Sequence, residues 1–307
     1  MKKTNWNLIW KQRYLFLLAS PAVILTLVFS YAPMTGIYMA FTDFRTTRNG
    51  YWYDLFHSPF VGLEWFRFFF ANDFFVVMRN TLGMSLLTWL ISFPAPIVLA
   101  VFLNEVKTQK LKKGIQTVSY LPYFISWVIA ANMVLTLLSA NGAINSLLVW
   151  MGVTEDPIIF MQESRFFWWI IAILNTWKSM GYNAIVFLAA IAGISQDQYE
   201  AADIDGARRW QKVIYVTLPS LLPVIVILMI LSVGNLLSNG FEQIILLQNP
   251  SLFRVSDVLD TYVFRFGMQN GMWSFSTAVG LFRSVVTFIL VVIANMVSKK
   301  VNGSGLF

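Results

Sequence analysis

The stretch Ser195–Leu222, SQDQYEAADIDGARRWQKVIYVTLPSLL, is a polar island between two long apolar runs, Phe166–Ile194 and Val213–Leu237. Hydrocarbon offers no water to backbone or charged groups, so such an island has to lie in water at one face of a membrane. Its residues read as a short helix, a tight turn and a second helix. Tyr199, Glu200, Ala201, Ala202 and Asp203 suit a helix, Asp205-Gly206 is a turn signal, and Pro219 marks the start of the next span. Asp205 is placed to cap a helix beginning near Ala207, with Arg208, Arg209 and Lys212 on its polar face. Gly206 supplies either backbone freedom or room for another surface to approach. Ala201, Ala202 and Ala207 are small enough for a groove. The island therefore reads as a docking element on the water side.

Composition agrees with a membrane chain. Of 307 residues, 57% are hydrophobic and only 12% charged, against about 25% charged in soluble domains. The length suffices for about six spans of roughly twenty residues plus loops. There is no cysteine, which excludes disulfides, a thiol nucleophile and a thiolate metal site. The single histidine, His57, has no acidic or histidine cluster at ligand spacing, so no metal centre is expected. The formal net charge of +7 does not point to nucleic acid, because the cations fall between apolar runs and not on one soluble face.

Lys2, Lys3, Lys11 and Arg13 precede a charge-free run, Tyr14–Thr42, too long for a signal peptide and read as a first span. Residues 43–73 form an aromatic-rich loop suited to the membrane interface, with stacking on carbohydrate as the less favoured use. Further spans are expected at Asn80–Leu103, Ile115–Leu138, Phe166–Ile194, Val213–Leu237 and Met272–Val297, with loops at 139–165 and 240–271. Lysines and arginines concentrate at the N-terminus, in residues 107–113 and 208–212, and at Lys299-Lys300. The positive-inside rule then puts both termini and the polar island in the cytoplasm.

Two cations interrupt apolar spans. Lys178 either snorkels to the outer interface or faces the protein interior or a cavity; Arg283 is either ion-paired or cavity-lining; Glu242, Asp257 and Asp260 are candidate partners for either cation. Asn132, Asn175, Asn183 and Asn235 can bond another helix or a hydroxyl-bearing solute. Trp177, Tyr182 and Trp273 can stack on a sugar ring or sit at the interface.

The order Glu200-Ala201-Ala202, Asp205-Gly206-Ala207, Leu218-Pro219 resembles the EAA loop of ABC importer permeases. Phe93-Pro94-Ala95-Pro96, Asn104-Glu105-Val106, Tyr120–Trp127 (YLPYFISW), Phe241-Glu242-Gln243-Ile244 and Asp260-Thr261-Tyr262-Val263 extend the resemblance over nearly the whole chain. They are similar to carbohydrate-uptake permeases of the maltose-transporter type, in the polysaccharide or lipoprotein-associated subfamily. Tyr123 stands where that family often has histidine.

The resemblance implies an all-α polytopic membrane protein with six transmembrane helices, both termini cytoplasmic, and the type I importer fold. Residues 1–13 would be a cytoplasmic N-terminus, 14–300 a single permease domain with the coupling loop at 195–219, and 301–307 a cytoplasmic tail. It further implies a second homologous permease, two ATPase subunits and an extracytoplasmic sugar-binding protein, with an oligosaccharide passing between the permeases. Glu200, Ala201, Ala202, Asp205, Gly206 and Ala207 would contact the ATPase. Asn175, Trp177, Lys178, Tyr182, Asn235, Glu242, Gln243, Trp273 and Arg283 are candidates for the substrate path. The chain has no phosphate-binding loop, so it would be non-catalytic, binding no cofactor itself, with ATP and magnesium on the partner ATPase. A secondary transporter would be expected to show an internal repeat, an intramembrane enzyme a catalytic constellation and a channel a filter segment. None is evident.

Overall fold

A computed structural model describes residues 12–238 and 240–302, the last two by backbone only. The expected positions of Lys2, Lys3 and Lys11, and of the tail beyond 302, lie outside the described residues. Among those described, four helices are each long and apolar enough to cross a membrane. The number rises to six if each of two sharply bent helix pairs counts as one span.

The first span runs from Arg13 to Phe41. It begins as α1 (Arg13–Thr26), widens into a π-helical turn at Leu27–Tyr31 and tightens to 3₁₀ geometry over Ala32–Phe41. Pro21 and Pro33 withhold backbone N–H groups along it. α1 buries none of its residues.

The loop expected at 43–73 carries two short helices, α2 (Tyr51–His57) and α3 (Glu64–Ala71). Residues 12–72 and Arg265–Phe282 form one compact unit. Its centre is Phe275, fully buried and ringed by Trp65, Phe68, Phe69 and Phe266 at centroid distances of 5.2–6.4 Å. The Trp65 indole N–H donates to Thr42 O (3.0 Å), and the Phe44 N–H to Ser274 Oγ (2.8 Å). Part of the aromatic loop is therefore a core and not an interfacial belt; Trp52, Phe56 and Phe60 remain exposed.

The second unit comprises, among the described residues, 73–264 and 283–302. The second span, Phe74–Glu105, is α4 (Phe74–Ser92) followed by α5 (Pro94–Glu105), whose first-turn proline forfeits no helical hydrogen bond. The third, expected to be continuous, is α6 (Gln109–Phe124) and α7 (Trp127–Leu137), turned by 102° at the intervening break. α8 (Ala143–Trp150) occupies the loop that follows.

The fourth span, α9 (Ser164–Ala192), is the post of this unit and packs against α4, α5 and α6. Phe167, Ile171 and Leu174 join one apolar cluster with Met84, Ala130 and Ala131. Ala184, Phe187 and Ile191 join another with Ala100, Val101 and Leu221.

The chain then turns by 70° into α10 (Gln196–Ile204), and α11 (Arg209–Lys212) follows. The fifth span runs Arg209–Val233 and passes through a π-helical turn (Val213–Thr217) into α12 (Leu218–Val233), with Pro219 in its first turn. The segment expected to be a loop at 240–271 instead holds α13 (Phe241–Leu247), α14 (Phe253–Ser256) and α15 (Leu259–Phe264). α16 (Trp273–Asn302) is the last helix.

Candidate functional site

Two polar places stand out in the larger unit, and α9 serves both. The first is the hairpin at its end. Ser195 opens α10, its hydroxyl accepting from the Asp197 N–H (3.3 Å). The helix ends in a Schellman arrangement: the Gly206 N–H reaches Asp203 O (3.1 Å) and the Ala207 N–H reaches Ala202 O (2.9 Å). That geometry requires the left-handed region at Gly206, where φ is +75°. A Cβ there would meet no atom of this chain, so the glycine is demanded by backbone shape. Asp205 closes α10 and does not open the next helix. α11 starts at Arg209, and the Arg208 N–H is capped by Gln211 Oε1 (2.6 Å). The sequence expectation was off because Arg208 and Gln211 supply the cap three residues downstream.

The hairpin is braced. Lys212 Nζ bonds Asp203 (2.8 Å), and the Tyr199 hydroxyl meets Thr217 Oγ1 (2.9 Å). Arg209 ties it to the end of α5 through the Glu105 carboxylate (3.3 Å) and carbonyl (3.0 Å), while the Trp210 ring packs edge-on against Phe102. Glu200, Ala201, Asp205 and Gly206 are exposed, Ala202 and Ala207 half-buried, and Ile204 is 88% exposed. The turn thus projects an exposed isoleucine beside small residues.

The second place is a cavity of about 190 Å³ lined by Ser85, Thr88, Trp89, Ser92, Asn175, Ser232, Asn235, Leu236, Ser238, Gly240 and Gln243. Three candidates from the sequence, Asn175, Asn235 and Gln243, meet here. Cross-helix bonds frame it. The Trp89 indole N–H donates to Ser232 Oγ (2.8 Å), and the Ser85 hydroxyl donates to Leu236 O. Among the described residues the lining is hydroxyl, amide and indole, with Leu236 and Gly240, and no charged side chain. Sequence reasoning missed Ser85, Thr88, Trp89 and Ser92. Their spacing of three, one and three along an apolar run was the available signal: a polar stripe on one helix face.

The remaining candidates do not line the cavity, though Arg283 reaches Ser238 in its wall. Trp177 lines an apolar hollow with Met133, Leu137, Ile144 and Ile173. Tyr182 stacks on Tyr123, with ring centroids 3.9 Å apart and planes 5° from parallel. Glu242 is exposed on α13, and Trp273 begins α16 in the smaller unit. Arg283 pairs with Asp260 and donates to Ser238 Oγ, which selects the ion-pair alternative and Asp260 as the partner. Lys178 is only 7% exposed, so it does not snorkel. Its ammonium donates to the carbonyls of Pro122 (3.2 Å), Tyr123 (2.8 Å) and Ile125. Among the described residues no group of acidic or histidine side chains is arranged to hold a metal ion.

Residues 92–303 match the family model described as the binding-protein-dependent transport system inner membrane component. The chain belongs to this family. It is 41% identical to protein LplB of Bacillus subtilis, over 100% of this chain and 95% of that one. It is 39% identical to the polygalacturonan/rhamnogalacturonan transport system permease protein YteP of the same organism, over 97% of this chain and 91% of the relative. A chain in the crystal structure of a bacterial alginate ABC transporter, complexed with an alginate pentasaccharide-bound periplasmic protein, superposes with a TM-score of 0.89. It is 37% identical, covering 98% of this chain and 99% of that one. The protein is thus an all-helical, multi-pass cell-membrane permease of the ABC importer type, a non-catalytic transport subunit.

Proposed function

We propose that this permease carries an oligosaccharide through the polar cavity, and that the hairpin at residues 195–219 seats in a separate ATPase subunit. One observation supports both halves: α9 contributes Asn175 to the cavity and, at its other end, delivers the chain to the exposed hairpin. Hydroxyl and amide groups exchange hydrogen bonds with sugar hydroxyls without desolvating a charge. The similarity to a polygalacturonan/rhamnogalacturonan permease and to an alginate transporter favours a carbohydrate cargo. It also favours delivery by an extracytoplasmic binding protein. A second homologous permease completes the path, and two ATPases hold ATP and magnesium. Both termini and the hairpin then face the cytoplasm, in keeping with the cation distribution. Glu200, Ala201, Ala202, Asp205, Gly206 and Ala207 form the ATPase contact. ATP-driven closure shifts the assembly between two states by its differential affinity for them.

The test is affinity purification of the full chain in mild detergent, with and without Glu200→Arg. An ATPase and a second permease should co-purify, and the charge reversal should release the ATPase while the permease pair persists. Recovery of the chain alone, or an ATPase equally retained by the variant, would reject the coupling assignment. Hydrolysis stimulated by a loaded sugar-binding protein then identifies the cargo.

A further inference from the structure

The elbow between α6 and α7 poses a problem in hydrocarbon. A helix end leaves its last carbonyls without intrahelical donors, and no water is at hand to satisfy them. Ser126 caps the start of α7 by accepting from the Ile129 N–H (3.3 Å), but it does nothing for the end of α6. The donor for that end comes from α9. Lys178 carries three N–H bonds, and Pro122, Tyr123 and Ile125 present three carbonyls to them. The ammonium also lies 5.1 Å from the centre of the Trp127 ring and 5.7 Å from that of Tyr123, within cation–π range. A cation is the favourable charge at a helix C-terminus.

The register is set one turn further along α9. A Cβ at Gly181 would overlap the backbone carbonyl of Ser119, so α9 and α6 meet there backbone to backbone. The stacked pair Tyr182 and Tyr123 flanks the same contact. Beyond the elbow, Ala130 and Ala131 of α7 pack with Ile244 and Leu247 of α13, the helix that brings Gln243 to the cavity wall.

We propose that Lys178 is a positioning residue: it pins the elbow of the third span and, through α7 and α13, sets the wall of the cavity. With its N–H groups engaged by carbonyls, it does not select for acidic cargo. Only the cargo readout below rests on the carbohydrate reading; the elbow itself is measured without it.

The chain has no native cysteine, so Val118→Cys on α6 and Met133→Cys on α7, both at exposed positions, can carry a spin-label pair across the elbow. The distance distribution is read by pulsed electron resonance on the full chain in lipid nanodiscs with its co-purifying subunits. A single narrow distance is expected for the parent and for Lys178→Arg, a broader one for Lys178→Gln and the broadest for Lys178→Met. Uptake of a neutral oligosaccharide and of a uronate oligosaccharide should fall together in Lys178→Gln. Parent-like distributions in both neutral variants would overturn the proposal. So would a loss confined to the uronate cargo, by about tenfold or more, the signature of a lost direct contact. If Lys178→Met fails to accumulate, Lys178→Gln decides. If the parent transports neither sugar, the carbohydrate reading fails while the distance result still judges the elbow.

Discussion

The hairpin and the cavity are both polar places in an apolar protein, yet they are built in opposite ways. The hairpin is contiguous: its cap, its turn and most of its braces lie within residues 195–217, and one glycine decides its shape. The cavity is assembled from α4, α9, α12 and the segment around α13, and none of those pieces forms a site alone. A contiguous element behaves as a unit and fails as one. A dispersed one shares its work among many small contacts and should lose function by degrees.

That contrast can be broken or sharpened experimentally. The largest effect is expected outside both places, in the frame they share. Arg283→Met removes the cation opposite Asp260 from a mostly buried pair, a change that costs about 3–5 kcal/mol. Membrane-inserted protein should fall sharply on immunoblots and recover in part when Asp260→Asn is added. Next, Gly206→Val forces a β-branched residue into positive φ, a strain of about 1–3 kcal/mol. Uptake should collapse with the amount of inserted chain unchanged, whereas Gly206→Asn, which tolerates that region, should keep most of it. Equal loss in both variants would mean that the turn is not what matters.

In the cavity, Asn235→Leu and Gln243→Leu should each raise the half-saturating cargo concentration by up to about tenfold, the value of one or two hydrogen bonds. Both line one cavity, so the double variant reads their coupling: costs that add to within about 0.5 kcal/mol mark separate contacts. A double variant no worse than either single one would show that the cavity acts as a unit after all. Thr88→Val, one hydroxyl at the margin, should cost about two- to threefold by the same scale. A larger effect would make α4 the principal wall.

The same contrast explains what could be read from residues alone. Spans and the hairpin were legible because their signals are local: runs without charge, an Asp-Gly turn, a proline in a first helical turn. The 102° elbow was not: Pro122 lies inside α6, Ile125-Ser126 itself carries no breaker, and the bend is held by a lysine 53 to 56 residues away. Lys178 and Arg283 were noticed as costly, but their partners are tertiary. Acidic side chains are the natural candidates for both cations: Asp260 does pair with Arg283, whereas Lys178 is held by backbone carbonyls, which every residue carries and no sequence pattern marks. The helices α8, α13, α14 and α15 were read as loops because short helices bounded by Asn, Gly and Pro resemble connections. Asn80, fully buried and bonded to the carbonyls of Arg254 (3.1 Å) and Asp257 (3.0 Å), passed as the first residue of a span.

The left-handed stop at Gly206 has a thermodynamic consequence. Because α10 is capped at Ser195 and terminated by its own backbone, its docking face is shaped before any partner arrives. Little conformational entropy remains to be lost on association, so even a small contact can bind firmly. On the proposed docking, an ATPase would receive a rigid lever in place of a slack loop. Movement of its cleft would then pass to α5 through the Arg209–Glu105 pair, and directly along the fifth span, without being absorbed by the connection itself.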